Sequence, residues 1–181
     1  MKIIVISDTH GSCAALKKLD PFLKDADMLV HCGDILYHGP RNYFPEEYGP
    51  ENVISILSNL SFPVIAVQGN CDSDIDRTTC PFPIVSSFFF FMIDSRRFFA
   101  THGNLYTQEE IKDISRRWNV NVVLSGHTHC ASLHSSNGQI FLNPGSLALP
   151  KNFPGVGIIE DHSVSLYNLA EGILSDSLPL P

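Results

Sequence analysis

Five short apolar runs in this chain end alike, and that repetition limits the folds open to it. Lys2–Ile6, Met28–His31, Pro63–Val67, Arg96–Thr101 and Val120–Leu124 read as buried strands. Each runs into a glycine flanked by polar residues: Ser7-Asp8-Thr9-His10-Gly11, Cys32-Gly33-Asp34, Gln68-Gly69-Asn70-Cys71-Asp72, His102-Gly103 and Gly126-His127-Thr128-His129. Glycine lets a chain turn sharply where a strand stops. Segments with helical spacing lie between the runs, at Ser12–Lys24, Glu51–Leu60 and Glu109–Trp118, with Pro21 set to kink or restart the first. The later chain is strand-rich. Ser87–Ile93 adjoins Arg96 through Asp94-Ser95, Ala131–His134 and Gln139–Leu142 are joined by the hairpin dipeptide Asn137-Gly138, and Val156–Glu160 precedes Ser163–Leu169. This order predicts an α/β fold, two sheets packed face to face with helices outside.

The strand ends also carry the chemistry. Asp8 and His10 alternate, as do His127 and His129, so on extended backbone each pair faces one side. Such turns are where α/β folds hold reactive groups rigidly. A carboxylate and an imidazole, or two imidazoles, make a metal half-site. The plainer readings are a turn before a helix capped by Ser12, and two solvated loop histidines. Asp34, Asn70 and His102 occupy the remaining ends. Together Asp8, His10, Asp34, Asn70, His102, His127 and His129 offer seven oxygen and nitrogen donors, more than one ion takes, which suits two ions sharing a carboxylate. Asp72 reads either as a helix N-cap or as a group orienting a neighbouring histidine. His31 reads as a packed residue, His134 and His162 as surface residues, and Phe88–Phe91 as core. The loop Ile35–Pro50, rich in glycine and proline, is a surface excursion or a rim over the site with Arg41 as a phosphate clamp.

At 181 residues the chain has enough length for one core, and a single domain over 1–181 is expected. A net charge of −7 argues against a protein that tracks nucleic-acid phosphates, though not against one phosphate met through cations. No run has membrane-span length, the apolar start is too short for a signal peptide, and five cysteines without a CxxC pair read as free thiols. The expected setting is the cytoplasm. Tyr43, Phe44 and the proline-rich loop offer a contact for a homo-oligomer.

The ordered set Asp-x-His, Gly-Asp, Gly-Asn-x-Asp, His-Gly, Gly-His-x-His resembles the calcineurin-like metallophosphoesterase superfamily. The run Leu36–Asn42 and the Gly-Asn-Cys-Asp at Gly69–Asp72 look like its small single-domain bacterial phosphodiesterase branch. The resemblance implies a four-layer α-β-β-α sandwich of two mixed sheets. It implies that Asp8, His10 and His129 hold one ion, that Asp34 bridges, and that Asn70, His102 and His127 complete the second. Mn²⁺ is the expected ion, with Fe, Zn or Ni able to substitute. A small phosphodiester would be attacked by a hydroxide shared between the ions, with Asn70 and Asp72 as catalytic residues and Arg41, Asn42 and Cys71 at the substrate. Many superfamily members carry histidine where Cys71 stands. A thiol is a poor proton donor in that place, so diesters with good leaving groups are expected over monoesters. The competing readings are a phosphomonoesterase or nucleotide pyrophosphatase on the same site, and a non-catalytic scaffold of the same fold.

Overall fold

A computed structural model describes all 181 residues, Met1–Pro181. The elements in order are β1 (Ile3–Ile6), α1 (Cys13–Lys17), α2 (Asp20–Leu23), β2 (Met28–His31), α3 (Pro50–Ser58), β3 (Val64–Val67), α4 (Asp74–Thr79), β4 (Ile84–Val85), β5 (Phe88–Ile93), β6 (Arg96–Thr101), α5 (Gln108–Arg117), β7 (Val122–Leu124), β8 (Ala131–Ser136), β9 (Gln139–Pro144), β10 (Gly155–Glu160), β11 (Ser163–Asn168) and β12 (Ile173–Pro179). They form a seven-stranded sheet, β12-β11-β10-β1-β2-β3-β4, and a five-stranded sheet, β5-β6-β7-β9-β8. Both are mixed. β1 to β4 run parallel, as do β6, β7 and β9, and antiparallel strands complete each sheet.

The strand period of two sorts β1 between two cores. Ile4 and Ile6 face a cluster with Leu16 of α1 and Val53 and Leu57 of α3, while Ile3 and Val5 face Phe98, Val122, Leu124 and Leu142 of the other sheet. β6 does the same: Phe98 and Ala100 point between the sheets, and Phe99 packs outward with Ile111 of α5. Ile3–Ile6 and Phe98–Ala100 have no wet face, which is why these stretches read as unbroken apolar runs. The result is helix, sheet, sheet, helix: the four-layer sandwich of two mixed sheets. No helix is long and apolar enough to cross a membrane, and all five cysteines stand as free thiols.

The first helical segment divides where Pro21 was set to restart it, and three elements are additional. Ser12–Lys24 is two short helices, because Pro21 sits at the start of α2 and ends the α1 ladder; Ser12 does cap α1, accepting from Ala15 N–H. α4 and β12 are additional, and so is the two-residue β4. α4 is short and polar and is held by a capping box between Ser73 and Asp76. β12 is a largely exposed edge strand with little apolar signal, paired to β11.

Candidate metal centre

All seven candidate ligands follow the C-terminal ends of parallel strands. Asp8 and His10 follow β1, Asp34 follows β2, Asn70 follows β3, His102 follows β6, and His127 and His129 follow β7. The sheets lie face to face, so the two sets meet at one edge of the sandwich, the position where α/β sheets bind ligands. Five of the seven, Asp8, His10, Asp34, His127 and His129, have φ between 45° and 66°. That left-handed conformation is uncommon outside glycine and persists only where the surroundings impose it. Backbone bonds fix it here: Asp8 N–H donates to Gly33 O and His10 N–H to Asp34 O, each at 3.0 Å.

The histidine rings are set from behind. Nδ1–H of His10 donates to Tyr37 O at 2.8 Å, that of His129 to Leu149 O at 2.8 Å, and that of His102 to Cys32 O at 2.7 Å. With the proton on Nδ1, each neutral ring turns a bare Nε2 lone pair toward the site. Those lone pairs converge on other acceptors. Nε2 of His10 and His129 lie 3.2 Å apart, and Nε2 of His102 lies 3.2 Å from Asn70 Oδ1. Asp8 Oδ2 accepts from the Ser7 hydroxyl at 2.5 Å and from His127 N–H at 3.1 Å, but its buried Oδ1 receives no hydrogen bond, although His129 Nε2 is 3.1 Å away. Asp34 Oδ1 accepts from Cys71 N–H at 2.8 Å, leaving Oδ2 between His102 Nε2 at 3.5 Å and His10 Nε2 at 3.9 Å. Facing acceptors repel unless a proton or a metal cation lies between them. The donor set of carboxylates, imidazoles and one amide suits divalent cations.

The acid–base properties follow from the same crowding. Burial opposes the charge of Asp8 and Asp34, yet the imidazoles against them hold both carboxyls below the usual range. Burial alone would lower His10 and His102. Asp8 and Asp34 outweigh it, raising His10 and pushing His102 up to about 9. A metal-free site thus gathers protons where cations would bind. His127, an exposed member of the set, is lowered by burial and by the neighbouring His102.

Both sequence readings of Asp72 change, while that of His31 holds. Asp72 is neither the cap of α4, a role taken by Ser73, nor hydrogen-bonded to a histidine. Its carboxylate accepts three backbone N–H groups, from Asp34 at 2.8 Å, Ile35 at 2.7 Å and Gly69 at 2.7 Å, so it ties the β2 turn to the β3 turn. Desolvation nevertheless pushes it up to about 6. His31 is packed, as expected: its Nε2–H donates to Thr9 Oγ1 at 3.0 Å and its Nδ1 accepts from Gly33 N–H at 3.1 Å.

The ligands open into a cavity of about 800 Å³ whose wall includes Tyr37, Arg41, Asn42, Cys71 and Lys151. The Ile35–Pro50 loop is therefore a rim, with Asn42 Nδ2 bonded to His38 O at 2.7 Å. Cys71 is held as a neutral thiol, pushed up to about 12 by burial and the Asp34 charge. Sequence reasoning missed Lys151. The turn Asn143-Pro144-Gly145-Ser146 reads in the sequence as a loop returning to this same edge, and it does return there: Ser146 Oγ donates to Asp8 O at 2.7 Å. A smaller cleft of about 390 Å³ behind the His127 turn, floored by Phe141 and Ile111, holds none of the seven ligands.

The chain belongs to the calcineurin-like phosphoesterase superfamily, whose domain profile matches residues 1–161. Among its relatives, phosphodiesterase YfcE of Escherichia coli K12 is 37% identical over 174 residues, covering 93% of this chain and 92% of that one. Phosphodiesterase MJ0936 of Methanocaldococcus jannaschii is 28% identical over 173 residues, covering 88% and 93%. The solved structure of Yfce, described as a phosphoesterase from E. coli, superposes over the whole of both chains with a TM-score of 0.88 at 31% identity.

Proposed function

We propose that this phosphoric diester hydrolase works with two divalent cations on a small phosphodiester. The observation that carries the reading is the acceptor-only cluster. Nε2 of His10 and His129 face each other at 3.2 Å beside the unbonded Asp8 Oδ1, and no protein donor satisfies them. In this reading Asp8, His10 and His129 hold one ion, Asn70, His102 and His127 hold the other, and Asp34, with Oδ2 between His10 and His102, is shared. Mn²⁺ is the working ion, with Fe, Zn or Ni able to substitute. Bound cations would acidify a water into a nucleophile and offset phosphate charge.

The chain's own groups do the rest. Asn70, exposed at the mouth and neutral, orients a non-bridging phosphoryl oxygen, and Asn42 closes over the ester from the rim. Asp72 positions Asp34 and Gly69 through their amides rather than touching substrate. Cys71 stays protonated at neutral pH and hands a proton to a leaving group poorly, which favours esters whose alcohol departs unaided. The names of the two phosphodiesterase relatives support the diester over the monoester, and the complete ligand set supports an enzyme over a scaffold. Five free thiols suit a reducing compartment such as the cytoplasm.

The test compares bis(4-nitrophenyl) phosphate with 4-nitrophenyl phosphate on protein stripped by chelator and refilled with Mn²⁺. Turnover of the diester should return with metal and exceed that of the monoester. Faster monoester turnover would make the protein a phosphomonoesterase, and turnover untouched by chelation would remove the metal from the mechanism.

A further inference from the structure

Two cations line the cavity without a partner in a chain whose net charge is −7. Lys17, Lys112 and Arg116 each engage a carboxylate, of Glu47, Glu109 and Asp113; Arg41 and Lys151, like most cations of the chain, pair with none, and these two line the cavity. The carboxylates along the same wall are already engaged. Asp34 sits among the imidazoles, and Asp72 is covered by three N–H groups. Both cations are exposed, and both rise from backbone anchored to the same ligand pair. The Tyr37 carbonyl, four residues before Arg41, accepts from His10 Nδ1–H, and Lys151 N–H donates to His129 O at 2.9 Å. The His10 and His129 rings are neighbours, with centroids 5.1 Å apart. The cavity, at about 800 Å³, is also larger than a single phosphate group fills.

We infer that Arg41 and Lys151 form a second anion subsite, which selects phosphodiesters bearing an additional phosphate group. This rests on the phosphodiesterase reading and deepens it. The scissile phosphate belongs with the seven ligands, so these two positive charges lie outside that set. A phosphate monoester carries close to two negative charges at neutral pH and accepts several charge-assisted hydrogen bonds. It matches the pair in charge, and arginine offers it a planar fork while lysine offers a point charge.

The experiment uses the Mn²⁺-loaded enzyme and two chromogenic substrates, thymidine 5′-(4-nitrophenyl phosphate) and the same diester with a 3′-phosphate. The wild type should prefer the 3′-phosphorylated substrate through a lower KM. Lys151→Ala should cut that preference in kcat/KM about tenfold, the size of one charge-assisted hydrogen bond. Lys151→Gln, which keeps the stem but not the charge, should do the same, and Lys151→Ala with Arg41→Ala should abolish the preference. A wild type indifferent to the 3′-phosphate, or variants that lose equally on both substrates, would overturn the subsite while leaving the phosphodiesterase standing. A wild type that cleaves neither substrate would overturn the phosphodiesterase reading itself, and the subsite with it.

Discussion

At the scale of single residues, Asp34 carries the heaviest demand. Its Oδ1 is fixed by Cys71 N–H, so only Oδ2 is free to face His10 and His102. Asp34→Asn keeps the shape but removes the charge that two cations would share. Diester turnover should disappear and metal content per chain should fall, read by assay and elemental analysis. An active, metal-replete variant would defeat the bridging role. Cys71 makes a second case. Because burial and Asp34 keep the thiol protonated, Cys71→His would place a titratable donor at the cavity wall, and 4-nitrophenyl phosphate turnover should rise relative to the diester. An unchanged monoester-to-diester ratio would remove Cys71 from the account of selectivity. The convergence of the seven candidate ligands was legible because glycine beside a polar residue after an apolar run is a local signal. The job of Asp72 was not, because three backbone amides from two distant turns converge on it only in space.

At the scale of elements, the site depends on how closely the β7 turn approaches the β1 turn. A Cβ on Gly126 would overlap Ser7 Oγ and press on Asp8 Oδ2. The constraint is close approach across the two sheets, because Gly126 is not among the glycines with positive φ. Gly126→Ala should therefore separate the sheet ends, break the Ser7–Asp8 hydrogen bond and weaken metal binding about 10- to 100-fold, as losing a group that orients a ligand does. Adding Ser7→Ala should recover part of that loss by removing the atom in collision, and isothermal titration with Mn²⁺ reads both. Equal affinity in Gly126→Ala and wild type would mean that the turns need not touch. Sequence reading succeeded for elements buried on both sides, such as β1 and β6, where packing and pattern agree. It failed for α4 and β12, which are held by a capping box and by strand pairing, neither of which leaves an apolar period.

For the whole molecule, stability depends on protons stored at the junction of the sheets. Burial lowers His31 to about 3, so the folded chain keeps it neutral while the unfolded chain protonates it near 6.5. The unfolded state therefore binds more protons between pH 6.5 and 3, and this contribution to stability is lost as pH falls through that window. From pH 7 to pH 5 the loss is about 2 kcal/mol. Asp72 works the other way. Raised to about 6 from 3.8, it contributes stability present below 3.8 and lost as pH rises through 6, so acidification over the same range returns part of what His31 removes. His102, raised to about 9 in metal-free protein, contributes stability below 6.5 that is lost as pH climbs through 9. The wild-type profile is the sum of these and of the shifts of Asp8, His10, Asp34 and His127, and the His31 share emerges by difference. In urea titrations of metal-free protein, wild type should lose about 2 kcal/mol more than His31→Gln between pH 7 and pH 5. Above pH 7 the two should fall together, and refilling with Mn²⁺ should flatten that alkaline limb, because a cation then takes the place of the proton between His102 and Asp34. Parallel curves for wild type and His31→Gln through the acid range would show that His31 titrates alike in the folded and unfolded chain.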